Sequence, residues 1–191
     1  MTIFLILAPY GAFALLMQVM PATVSLLCAT LICLAVIALD VGRGRSIKIL
    51  GIGSAAVFTA VGLYLTFVDA TPSTRAISVA VNIGIFLVSL SSIVLRHPFT
   101  RQYAVEMVDA ETTRLPGFEH INYRIAWAWT GATLLMMLGN IALLYVPGLP
   151  LWSGLLIAFA ARYSAVGFTR WYPDYRRAQY GTPPADALPS R

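Results

Sequence analysis

The sequence predicts an all-α fold: a polytopic transmembrane bundle of six spanning helices, or five, with one short interfacial helix. Three observations predict it. Hydrophobic residues make up 59% of the 191 and charged residues only 11%, against about 25% charged in an ordinary soluble domain. The apolar residues gather into long segments near the roughly 20 residues that a spanning helix requires. Eleven of the 13 Lys and Arg residues fall between those segments, in the stretches 43–48, 96–124 and 170–191.

The first apolar segment, 3–19, is short and interrupted by Pro9 and Gly11. No basic residue precedes it and it runs into a second apolar segment, so it reads as a retained membrane segment rather than a cleaved signal. The others follow at 22–41, 47–68, 76–95, 125–146 and 151–168. They are continuously apolar rather than alternating, which predicts helices and not the strands of a membrane barrel. Segments two, four and six each end in a basic stretch. The opposite connections, 18–21, 69–75 and 147–150, hold one basic residue, Arg75. Eleven against one is a strong positive-inside bias, placing the basic loops and the C-terminus in the cytoplasm. If the first segment is only re-entrant, five spans remain and the N-terminus lies outside.

Tight connections make consecutive helices antiparallel neighbours, so residues 1–172 read as a single transmembrane domain. A Pro-rich tail, 173–191, is expected to be largely disordered and cytoplasmic. Gly51 with Ala55, Gly154 with Ala158, and Gly131 with Gly139 place small residues on shared helix faces, where backbones can approach closely. The one long loop, 97–122, begins at Pro98 and puts Phe99, Tyr103, Met107 and Ala110 on one helical face. That pattern predicts a short helix lying on the membrane surface, broken by Leu115-Pro116-Gly117-Phe118.

Few residues in this chain carry chemistry. Arg162 is the only strong charge well inside a span. A charge there costs about 2.5–3.5 kcal/mol on insertion scales, so it is a functional candidate, with snorkelling to headgroups as the plain alternative. Asp40, beside Arg43 and Arg45, is either a local ion-pair partner or a partner for Arg162 across the bundle. Asn82 and Asn140 are mid-span amides suited to interhelical hydrogen bonds. His97, Glu106, Glu119 and His120 share the long loop, but no HExxH or CxxC spacing accompanies them. Cys28 and Cys33 lie five apart with no ligand nearby, so neither a disulfide nor a metal site is expected. The segment GIGSAA at 51–56 follows no strand and is packing material, and no GxSxG elbow exists. No catalytic, cofactor-binding or metal residue is therefore predicted. The net charge of +5 is explained by anionic lipid headgroups rather than nucleic acid.

The run Arg96-His97-Pro98-Phe99-Thr100-Arg101-Gln102-Tyr103, then Asn122 through Trp127, then Gly139-Asn140-Ile141, resembles the intracellular septation protein A family. In hydropathy and loop lengths the resemblance covers nearly the whole chain. It departs in a longer loop between Arg101 and Pro116 and in the extended tail, as a divergent member would. The family consists of small polytopic proteins of the bacterial inner membrane, associated with cell division, envelope integrity and membrane synthesis. No enzymatic activity is established for that family, so the resemblance carries no catalytic residue across.

The sequence therefore predicts a non-enzymatic inner-membrane protein working through contacts with membrane-protein partners, with homo-oligomers also open to it. Arg96, His97, Phe99, Arg101, Tyr103, Arg162 and Arg170 are the candidate interaction or lipid-contact residues. The alternative is a small lipid or solute carrier with Arg162, Asn82 and Asn140 along its path.

Overall fold

Apolar runs bounded by Pro, Gly and charged turns fold as helices throughout the described residues, 2–115 and 117–180 of the computed structural model. In order these are α1 (Thr2–Leu16), α2 (Ala22–Gly42), α3 (Ile49–Phe67), α4 (Thr74–Val94), α5 (Phe99–Ala104), α6 (Ala110–Arg114), α7 (Gly117–Tyr145) and α8 (Leu151–Tyr180). Four of them, α2, α3, α4 and α7, are long and apolar enough to cross a membrane. By comparison, α1 has 15 residues with Pro9 inside. At 1.5 Å per residue it is about 22 Å long, short of a hydrocarbon core of about 30 Å.

The long helices pack in the order α1–α2–α3–α4–α7–α8. Phe13 of α1, Met17 just after it, Leu26, Ala29 and Cys33 of α2, and Phe58 of α3 belong to the largest core. The Phe13 and Phe58 rings lie 5.4 Å apart. A second core joins α7 to α8 through Ala132, Met136, Ala161 and Ala165. Large side chains such as Leu27, Leu31, Leu135 and Phe159 point outward, an inverted arrangement that suits lipid. Lipid tails are as apolar as Leu, so close packing rather than water exclusion must join such helices.

Glycines supply that closeness in two antiparallel hairpins. A Cβ on Gly53 would overlap Val88, and one on Gly84 would overlap Val57, so α3 and α4 each seat a valine in the other's glycine notch. The α7–α8 pair repeats the device, with Ile157 against Gly139 and Leu143 against Gly154. Of the glycines singled out by spacing, Gly139 and Gly154 lie at such contacts. Gly51 touches Ile37 of α2 at an ordinary 3.6 Å, and Gly131 has open space before it.

Three boundaries differ from the sequence reading. The single interfacial helix is two short ones, because Asp109 accepts a hydrogen bond from the Thr112 amide and caps a new start at Ala110. Met107, left in the break, is 60% exposed instead of sharing the face of Phe99. The fifth apolar segment begins not at 125 but at Gly117, so most of the back half of the long loop is helix. Finally, α8 continues through Pro173 to Tyr180, into the stretch expected to be disordered tail. The ring stacks Phe168–Tyr172 and Trp171–Tyr175, with centroids 4.9 and 4.8 Å apart, are i,i+4 pairs. They support the turn in which Pro173 removes a backbone donor. The rest of the expected tail, 181–191, lies outside the described residues.

Both α2 and α4 stop at their basic ends in the same way. At α2 the Arg45 and Gly44 amides donate back to the Asp40 and Val41 carbonyls, with Gly44 at φ +69°. At α4 the His97 and Arg96 amides donate to Ser92 and Ile93. This is the Schellman arrangement, whose left-handed residue is usually glycine. Here it is Arg96, at φ 59°.

Candidate functional site: a buried ion cluster at the basic end

The turn between α2 and α3 carries Arg45 and Lys48 within eight residues of Asp40, so folding this hairpin brings them together. Lys48 is the N-cap residue of α3, and its side chain is only 4% exposed. A buried ammonium requires acceptors. It donates to the Glu106 carboxylate at 2.6 Å, to the Ser46 carbonyl at 2.8 Å and to Asp40 at 3.5 Å. Arg45 lies 3.7 Å from Asp40 and 3.9 Å from Glu106. Two cations face two carboxylates, so the cluster is formally neutral. The Tyr103 ring sits beneath the Lys48 ammonium, 5.8 Å from its centroid.

Glu106 follows α5, so the cluster ties that helix to the α2–α3 turn. Other bonds do the same. The Gln102 side chain accepts the Ile49 amide at 2.8 Å, satisfying an open donor at the start of α3. Thr100 donates to the Asn122 carbonyl of α7 at 2.8 Å. Phe99 is buried with Ile93 and Ala126. Together these contacts form a clasp joining α3, α4, α5 and α7. Burial pushes the Glu106 carboxyl up, but the hydrogen bond and charge of Lys48, with help from Arg45 and Ser46, outweigh it and hold Glu106 below its ordinary range. Burial foremost, then Tyr10, Asp40 and Glu106, pushes the Tyr103 phenol up. A cavity of about 40 Å³ runs from this cluster down to Tyr10 and Ser54, large enough for water molecules. The Tyr10 and Ser54 hydroxyls hydrogen-bond each other there.

The structure separates the sequence candidates. Asp40 belongs to the clasp, paired with Arg45 and Lys48 rather than Arg162. Asn82 and Asn140 donate to Ser78 and Met136, the carbonyls four residues back in their own helices. These bonds lie within α4 and α7 and not between helices, because an amide in a span satisfies itself most readily on the preceding turn. Arg162 lies over the Tyr10 ring, 5.7 Å from its centroid. No hydrogen bond joins any two of Arg162, Asp40, Asn82 and Asn140 among the described residues. Phe99 and Tyr103 turn into the bundle instead of presenting a membrane-facing stripe. Arg96, His97 and Arg170 are exposed, as is Arg101, 3.5 Å from Glu119.

Sequence reasoning named Arg45 beside Asp40 but missed Lys48, Gln102, Tyr10 and Ser54. Lys48 looks like one more topology charge; the Asp40-to-Lys48 spacing across a tight turn was the available signal. Glu106 and Glu119, weighed there with His97 and His120, are each engaged by a cation. Among the described residues no group of three His, Cys, Asp or Glu side chains could hold a metal. No family model, curated protein or solved structure matches the chain.

Proposed function

We propose that the chain is a non-enzymatic protein of the bacterial inner membrane, spanning it six times with its basic end in the cytoplasm. It acts by presenting a rigid cytoplasmic edge to membrane proteins of the division or envelope-building machinery. The observation that carries this reading is the clasp. A loop that merely connected two spans would need no buried Lys48–Glu106 pair, no Gln102 bond to α3 and no Thr100 bond to α7. Fixing α5 in this way holds Arg96, His97 and Arg101 outward in one register, and preorganised side chains lose less entropy on binding. The eleven-to-one charge bias supports the orientation. The division and envelope assignment rests on the septation-protein resemblance around residues 96–103. The six spans rest on the apolar segments that contain α1 and α8.

The test replaces Arg101 with a photo-crosslinking residue in cells. The expected result is an adduct with an integral membrane protein of that machinery, weakened by Glu106→Gln, which loosens the clasp without touching the exposed edge. The absence of any specific adduct from positions 96, 97 and 101 would overturn the proposal.

A further inference from the structure

Arg162 is a half-buried cation that the fold leaves without a charged partner among the described residues. Among the described residues its guanidinium has neither an ion pair nor a hydrogen bond, only the face of Tyr10. Among the described residues no carboxylate forms an ion pair with it. Asp40 and Glu106 are engaged by Lys48 and Arg45, and the other acidic residues of the described chain lie in loops, short helices or helix ends.

The side chain does not escape upward. Tyr10 is bonded to Ser54, which lies five residues into α3 and so about 8 Å below its start at Ile49. Arg162 itself is eight residues from Arg170, about 12 Å along α8. The guanidinium therefore extends sideways, at depth, from α8 to α1. These two helices are the ends of the packing order: α1 packs on α2, α8 packs on α7, and neither packs along the other. Arg162 thus reaches Tyr10 across the two ends of the packing order.

We infer that the point where Arg162 meets Tyr10 is a binding site for a phosphate-type oxyanion, carried by an anionic phospholipid or free in solution, with Arg162 as its fork and Tyr10 as its support. A guanidinium is always charged, is weakly hydrated and presents five N–H donors in a plane matched to phosphate oxygens. The Tyr10 face stabilises the charge without consuming any donor, and the Tyr10 hydroxyl is already held by Ser54. The clasp above it is neutral within itself and does not compete for the anion. The site is independent of any cytoplasmic partner, and its test uses the purified protein alone.

The full chain in a neutral detergent is titrated with phosphatidylglycerol, with phosphatidylcholine and with inorganic phosphate. Bound ligand is read by native mass spectrometry and by the shift in thermal midpoint. Phosphatidylglycerol is expected to bind at one site. Arg162→Gln should weaken it about tenfold, the equivalent of one charged hydrogen bond, while Arg170→Gln at the exposed helix end changes it less than about twofold. A response to inorganic phosphate alone, lost in Arg162→Gln, assigns the site to a free anion. If the Gln variant does not fold, Arg162→Lys keeps the charge but lacks the fork and should lose affinity several-fold. Equal losses in the 162 and 170 variants, or wild-type affinity in either 162 variant, would overturn the assignment.

Discussion

Glu106→Gln isolates the clasp. In the wild-type protein Lys48 has three oxygen partners, and its side chain is 4% exposed. The substitution removes the shortest charged bond, 2.6 Å, and leaves the Ser46 carbonyl and Asp40. Hydrogen bonds to charged groups contribute about 1.5–3 kcal/mol. Because two partners remain and Glu106 is still 19% exposed, the loss should be about 1–2 kcal/mol. Lys48→Met is more severe, about 2–3 kcal/mol, since it strands two largely buried carboxylates with only Arg45 near them. The double variant should cost little more than Lys48→Met alone, a coupling of about 1–2 kcal/mol.

The readout is amide hydrogen exchange over α5, which reports local opening. About 1.4 kcal/mol is a tenfold rise in the open population. The pH dependence has a definite sign. The folded Glu106 carboxyl lies below its ordinary value, so its contribution is complete above the unfolded value of about 4.3. It disappears as the pH falls through the depressed folded value. Wild-type α5 should therefore lose protection on acidification below about pH 4.3, with Glu106→Gln far less responsive there. Equal protection in wild type and Glu106→Gln at pH 7, coupling below about 0.5 kcal/mol, or weakening as the pH rises from 5 to 8 would refute the reasoning.

Other substitutions address separate features. Arg96→Gly should raise the thermal midpoint in detergent, gaining about 1 kcal/mol by relieving a side chain held at positive φ. Gly53→Ala should destabilise by about 1–3 kcal/mol through overlap with Val88. Adding Val88→Ala should restore part of the loss, and thermal unfolding of the four-member cycle measures it. Arg75→Ala removes the 2.7 Å bond from Arg75 to the Leu143 carbonyl. Faster exchange around residues 143–147 is expected, with a loss of about 1–2 kcal/mol.

The positions of the helices were legible because bilayer thickness imposes a length on apolar runs that any sequence must display. The ends were less legible. Asp109 as a cap and the aromatic stacks beyond Phe168 act over single turns, and their effect depends on neighbours that the sequence does not place in space. Within the site, Asp40 and Arg162 stood out because charge near a membrane is rare; the local pairing of Asp40 with Arg45 was legible, whereas Lys48 as its second partner and Tyr10 beneath Arg162 were not. Lys48 and Glu106 are 58 residues apart, and only the docking of α5 shows that they belong together. Arg75 looked like an exception to the charge bias. It is the side chain that ties the start of α4 to the end of α7.

The glycine notches also have a mechanical meaning. In each antiparallel hairpin two large side chains are seated in opposed notches, so an axial slide in either direction drives one of them into a helix backbone. Relative motion along the axes would have to jump a whole turn, about 5.4 Å, to find the next seat. The α3–α4 and α7–α8 hairpins are thus gear-locked against shear. Among the described residues no such seat joins α1 to α8, where Arg162 resting on Tyr10 is a contact that a slide along the axes does not obstruct.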